Sequence, residues 1–219
     1  MDKHYDQWLS HVFDHPDSKP EWYFDDDDDA PFPGTDLEIA CLIRDTCLRC
    51  ARDLQRFSDI QVNSGLNFIF NNSCSDYTFA LKNSSVPLQT RLDAVSAIRE
   101  LYHGCFESRC APVLSHRDQE GGTPLNSICY MFWDVTPIGW WEDDPEKEDF
   151  YPVIVAVMVE ALQSTNVACV ESALHGLGHL AFYRSEEVAN PIDAVLASDK
   201  QWPEELTEYA QVAKTGMIQ

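Results

Sequence analysis

The chain has 219 residues, 44% hydrophobic, 11% aromatic and 24% charged, a globular composition with room for one sizeable core or two modest ones. Its 37 acidic side chains against 15 Lys and Arg give a net charge of −22. That balance excludes non-specific nucleic-acid binding and docking on anionic lipid, since both need clustered cations; a basic partner, or solubility alone, is left.

From Met1 to Asp6 there is no apolar run that reads as a secretory signal. The most hydrophobic stretch, Val153 to Val159, is far shorter than the roughly 20 residues a bilayer span needs. The chain is therefore expected to be soluble and cytoplasmic, with its eight cysteines as reduced thiols.

Charge is unevenly spread: residues 1–36 carry 11 acids and 2 bases, residues 37–117 carry 8 and 9, and residues 118–219 carry 18 and 4. Near the start, Trp22-Tyr23-Phe24 leads into Asp25, Asp26, Asp27, Asp28 and Asp29. Five adjacent like charges repel one another, which predicts a solvated loop. Residues 1–35 are accordingly read as an acidic extension with a short helix, and residues 36–219 as one helical-repeat domain.

Thr35 with Glu38 is a capping box, opening a helix that carries Leu37, Ala40, Cys41, Ile43, Arg44 and Leu48. Ser58 with Gln61 repeats it ahead of Val62, Leu66, Ile69 and Phe70. Further helices are expected over 76–83, 88–105 and 125–134, with Pro87 and Pro124 at first-turn positions. Asn71-Asn72, Asn83-Ser84-Ser85, Gly121-Gly122 and Asp144-Pro145 punctuate the series. Two apolar stripes follow, Phe150 to Leu162 and Val167 to Leu180, broken at Ser164-Thr165-Asn166. The last helices are predicted over 186–196 and 204–214, divided by Trp202-Pro203. Helices joined by short connections pack antiparallel, and stacked pairs of them make an α-solenoid.

The segment Asn166 to Leu180, which contains Glu171, Ser172, Ala173, Leu174, His175, Gly176, Leu177, Gly178 and His179, resembles the second half of a HEAT-like repeat. The resemblance covers about residues 146–198. It implies an all-α fold, a HEAT-like α-solenoid of stacked antiparallel helix pairs. It also implies close approach at Ala173, Gly176 and Gly178 and core positions at Leu174 and Leu177. It carries no activity.

Glu171, His175 and His179 fall on one helical ridge, at spacing that could hold a metal. The order lacks a glutamate directly after the first histidine, and no further acidic ligand can be placed, so neither metal nor cofactor is expected. Cys47 and Cys50 form a CxxC without a second pair, and His103, Cys105, Cys110 and His116 are irregularly spaced. These cysteines read as small apolar packing residues. Nucleophile-elbow, P-loop and Rossmann patterns are missing, so no catalytic residue is nominated.

The aromatics point elsewhere. Trp140 and Trp141 directly precede an acidic run that opens with Glu142, Asp143 and Asp144, just as Trp22 precedes the five aspartates. Aromatics anchor interfaces and acidic surroundings steer a basic partner. Trp22, Asp25 to Asp29, Trp140, Trp141, Glu142, Asp143 and Asp144 are the expected partner-binding residues. The small, strongly acidic chain is similar to bacterial immunity proteins that occlude a basic, nuclease-type toxin, and that is the expected function. A HEAT-like scaffold and a His-dependent metalloenzyme are the alternatives.

Overall fold

Thr35 and Ser58 open two helices with one device. The Thr35 hydroxyl accepts from the Glu38 amide at 3.3 Å while the Glu38 carboxylate accepts from the Thr35 amide at 2.8 Å. Ser58 and Gln61 make the same reciprocal pair at 3.1 and 2.9 Å. Each box satisfies two amides that the first helical turn leaves without partners.

The computed structural model describes residues 3–24, 31–198 and 200–218. Among them are eight main helices and no strand: α1 (Lys3–Phe13), α2 (Asp36–Asp53), α3 (Asp59–Phe70), α4 (Leu88–Leu101), α5 (Pro124–Val135), α6 (Lys147–Ala161), α7 (Val167–Leu196) and α8 (Glu204–Lys214). None of them is long and apolar enough to cross a membrane. Past Leu101 the chain continues through a π turn, Tyr102–Phe106, and one last turn, Glu107–Arg109.

Packing runs in two series. Helix α2 lies against α4 and α4 against α6, while α1 lies against α3, α3 against α5 and α5 against α7. Helix α7 also touches α6 and α8. One buried cluster spans both series, from Trp8 and Phe13 on α1 through Phe70, Phe132 and Phe150 to Leu174 and Leu177 on α7. The expected extension, residues 1–35, thus carries core side chains: the Trp8 indole donates to Thr46 on α2 at 2.9 Å.

One expectation needs correction, and two others gain detail. On α2, Leu37 and Leu48 face outward, and the buried ridge is Ile39, Ile43, Cys47 and Cys50. That ridge is the one that meets α4, and Leu37 and Leu48 lie beside it. Residues 76–83 form only a 3-10 turn, Tyr77–Leu81, stopped at Lys82 before Asn83-Ser84-Ser85. Residues 186–196 are helical as expected; they form the second segment of α7, beyond a kink at Arg184, whose φ of −132° and ψ of 42° are not helical.

Six cysteines, Cys47, Cys50, Cys105, Cys110, Cys129 and Cys169, are buried free thiols. Burial raises the pKa of Cys50 and Cys105 to about 12, which keeps both protonated. Cys47 and Cys50 thus act as packing residues under α4 and its π turn.

Candidate functional site

Helix α7 starts at Asn166, whose side chain accepts from the Ala168 amide at 3.0 Å. It packs so closely on α5 and α6 that a Cβ placed on Gly176 would stand 2.5 Å from Trp133 Cδ1 and 2.7 Å from Met158 Cε. A side chain there would push the helices apart, so the glycine sets how near the α7 ridge comes to α5. Leu174 and Leu177 are fully buried, as expected.

The ridge of Glu171, His175 and His179 serves two separate purposes. Glu171 is fully buried, and its carboxylate accepts from the Ser115 and His116 amides, both at 2.9 Å. It also meets His116 Nδ1 at 2.5 Å. The turn Ser115–Arg117 is closed by Asp118 in the left-handed region, φ 49°, a conformation that aspartate tolerates. Glu171 therefore secures this turn to α7 through the hydrogen bonds its buried carboxyl accepts.

His175 is buried on the same ridge. Its Nδ1 is hydrogen-bonded to the Tyr209 hydroxyl of α8, and its Nε2 lies 3.0 Å from Asp134 Oδ2 at the end of α5. His179 Nε2 lies 3.1 Å from His175 Nε2 and contacts Asp134 Oδ1. Hydrogen bonds from the two imidazoles hold the Asp134 carboxyl well below the usual carboxylate range. Burial, and then the neighbouring Tyr130 hydroxyl 3.3 Å away, push the Tyr209 phenol far upward, so it stays protonated.

Asp134 is the further acidic group that could not be placed from sequence. Its signal was present: a single acid near the end of the mostly apolar stretch Ile128 to Val135. Asp134, His175 and His179 each offer one ligand atom, all within 4.8 Å of one another. Beside them opens a cleft of about 480 Å³, with Asp134 and His179 on one wall. Trp140, Phe182 and Tyr183 complete its rim.

The residues nominated for partner binding divide sharply. Trp22 is buried, its ring stacked on His15 at 3.5 Å and edge-on to Phe68. Trp141 is fully buried, stacked on Phe150 at 3.7 Å, with its indole donating to the Ile138 carbonyl at 2.6 Å. Both rings cover core instead of anchoring a partner, which corrects those two assignments; large flat rings find more contact area inside than outside. Trp140 is 47% exposed. Asp25 to Asp29 lie outside the described residues.

The acidic run is partly structural. Glu142 pairs with Lys147 at 3.3 Å and stands 3.7 Å from Arg184, while Glu148 pairs with Arg184 at 2.7 Å. Glu146 forms a two-pronged pair with the buried Arg91, at 2.7 and 2.8 Å. Asp144 accepts from the Glu146 amide at 2.9 Å and so shapes the turn before α6. Asp143 is exposed.

What the sequence reading missed is the aromatic pair on α7. Phe182 is 74% exposed and Tyr183 47%, and Trp140 meets the Tyr183 ring edge-on at 4.9 Å. Together they make an apolar rim beside the cleft. Two adjacent aromatics immediately before the charged stretch Arg184 to Glu187 were the available signal. No family model, curated protein or solved structure matches this chain.

Proposed function

We propose that the chain is a protein-binding module, built as a HEAT-like stack of helix pairs, that acts in the cytoplasm as an immunity protein and covers a basic, nuclease-type toxin. The observation that carries this reading is the exposed aromatic rim of Trp140, Phe182 and Tyr183 on a chain of net charge −22. Clustered exposed rings mark interaction surfaces, and aromatic anchors carry much of the energy of an interface. A strong negative field raises the encounter rate with a cationic protein. Nuclease surfaces are cationic because they hold phosphate.

The stacked-pair reading is supported by the order of packing, α2 with α4 and α6, and α1 with α3, α5 and α7. The cytoplasmic reading is supported by eight free thiols. The action proposed is occlusion, with no chemistry performed by this chain.

Growth rescue tests it. A basic nuclease-type toxin encoded beside this chain's gene is expressed together with the wild type, Trp140→Ala or Phe182→Ala. Protection by the wild type and its weakening in both variants, through a faster off-rate, are expected. Lack of such a neighbouring toxin, failure of the wild type to protect, or full protection with unchanged off-rates in both variants would overturn the reading.

A further inference from the structure

We propose that Asp134, His175 and His179 form a site for one divalent transition-metal ion of the zinc class, opening into the cleft beside α5 and α7. The inference is independent of any toxin partner.

Two of the three ligand spacings fit a shared ion, and the third, His179 Nε2 to Asp134 Oδ1, is a closer contact. Two ligands each about 2.0–2.1 Å from one ion lie about 2.9 Å apart at a right angle and about 3.4 Å apart at the tetrahedral angle. His175 Nε2 stands 3.0 Å from Asp134 Oδ2 and 3.1 Å from His179 Nε2, inside that interval.

Proton bookkeeping points the same way. A carboxylate only accepts hydrogen bonds, so each Nε2 that faces Asp134 must carry a hydrogen to bond it. Two N–H groups then confront each other at the 3.1 Å contact between the imidazoles, which no hydrogen bond satisfies. Removing the hydrogen from His179 Nε2 mends that contact but turns its lone pair onto Asp134 Oδ1. One cation at the centre makes ligands of both Nε2 atoms and of the carboxylate, and leaves no lone pair opposed.

The site is also oriented from behind. The buried His175 ring is fixed through Nδ1 by Tyr209, the kind of outer contact that aims a histidine ligand at its metal. On the open side, His179 is 41% and Asp134 30% exposed. Remaining coordination positions would therefore face the cleft and take water or a small anionic ligand. Two imidazoles with one carboxylate suit zinc, cobalt(II) or iron(II), whereas calcium and magnesium prefer oxygen ligands throughout.

Cobalt(II) titration of the metal-stripped full chain is the test, with zinc as competitor. The expected result is one equivalent of cobalt(II), displaced by zinc, with no thiolate-to-metal charge-transfer band. His179→Ala and Asp134→Asn, both altered on the exposed side, should weaken binding at least tenfold while the far-ultraviolet circular dichroism is unchanged. Zinc should raise the melting temperature of the wild type and leave His179→Gln unmoved, a readout that survives if either first variant folds poorly. Absence of stoichiometric uptake would overturn the proposal. So would a thiolate band, or wild-type affinity in both His179→Ala and Asp134→Asn, since the ion would then sit elsewhere.

Discussion

The imidazole of His116 lies against the phenol ring of Tyr209, with centroids 4.3 Å apart and planes 21° from parallel. Through this pair α8 touches both halves of the α7 ridge. His116 belongs to the Glu171 half, and the Tyr209 hydroxyl belongs to the His175 half. Tyr209→Phe removes the hydroxyl and keeps the ring stack. It should lower stability by about 1–3 kcal/mol, the cost of leaving a buried polar atom unpaired. Cobalt(II) affinity should fall about tenfold, as when the support of a histidine ligand is lost. Urea unfolding and metal titration of one variant measure both.

Leu174→Ala should cost about 2–5 kcal/mol by urea unfolding, because the side chain is fully buried among well-packed neighbours. Gly176→Ala should cost about 1–3 kcal/mol for the opposite reason, overpacking against Trp133 and Met158. An unchanged midpoint in the alanine variant of Gly176 would mean that α5 and α7 can separate at no cost.

The Arg91–Glu146 pair gives a pH signature with a defined sign. Hydrogen bonds from the Arg91 guanidinium hold the Glu146 carboxyl below its ordinary range. A carboxylate depressed in the folded state adds stability above its unfolded value, about 4.3, and loses it as the pH falls through the lower folded value. At neutral pH Glu146→Gln should therefore destabilise by about 1.5–3 kcal/mol, since it leaves the buried guanidinium without a charged acceptor. Below about pH 4 the difference between variant and wild type should shrink. Denaturant midpoints between pH 3 and pH 7 are the measurement.

Within the acidic run, carboxylates should behave unequally toward a cationic partner. Asp143→Asn should slow association at low salt and leave thermal stability unchanged, because Asp143 is exposed. Glu142→Gln should lower the melting temperature, because Glu142 holds Lys147 and stands near Arg184. Surface kinetics at two ionic strengths and a melting curve separate the two effects.

Helix starts were legible because they depend on residues three apart: Thr35 with Glu38, and Ser58 with Gln61. The core face of α7 was legible because small residues and leucines recur at helical steps. Less was readable where a long-range neighbour decides the outcome. The exposure of Leu37 and Leu48 depends on where α4 lands. Burial of Trp141 depends on Phe150 stacking over it. The place of Asp134 was not readable for the same reason: His175 and His179 are four apart, but Asp134 lies 41 positions before His175 and joins them only through the packing of α5 on α7. Local rules find pairs on one helix, and tertiary packing supplies the third corner.

The break at Arg184 reshapes the electric field of this edge. Its guanidinium reaches Glu148 and Glu187 and lies 4.5 Å over the Tyr151 ring, while Glu146 is neutralised by Arg91 and Glu142 by Lys147. Viewed from solution, the segment from Glu142 to Asp149 is thus no uniform block of negative charge. It is a set of short, oriented dipoles at Glu142, Glu146 and Glu148, interleaved with the exposed Asp143 and Asp149. Such an arrangement fades faster with distance than a bare block of charge and turns more sharply with angle. It acts as a short-range compass: a cationic surface drawn in by the net charge of −22 would feel it late, close to Tyr183, and would there be rotated into register.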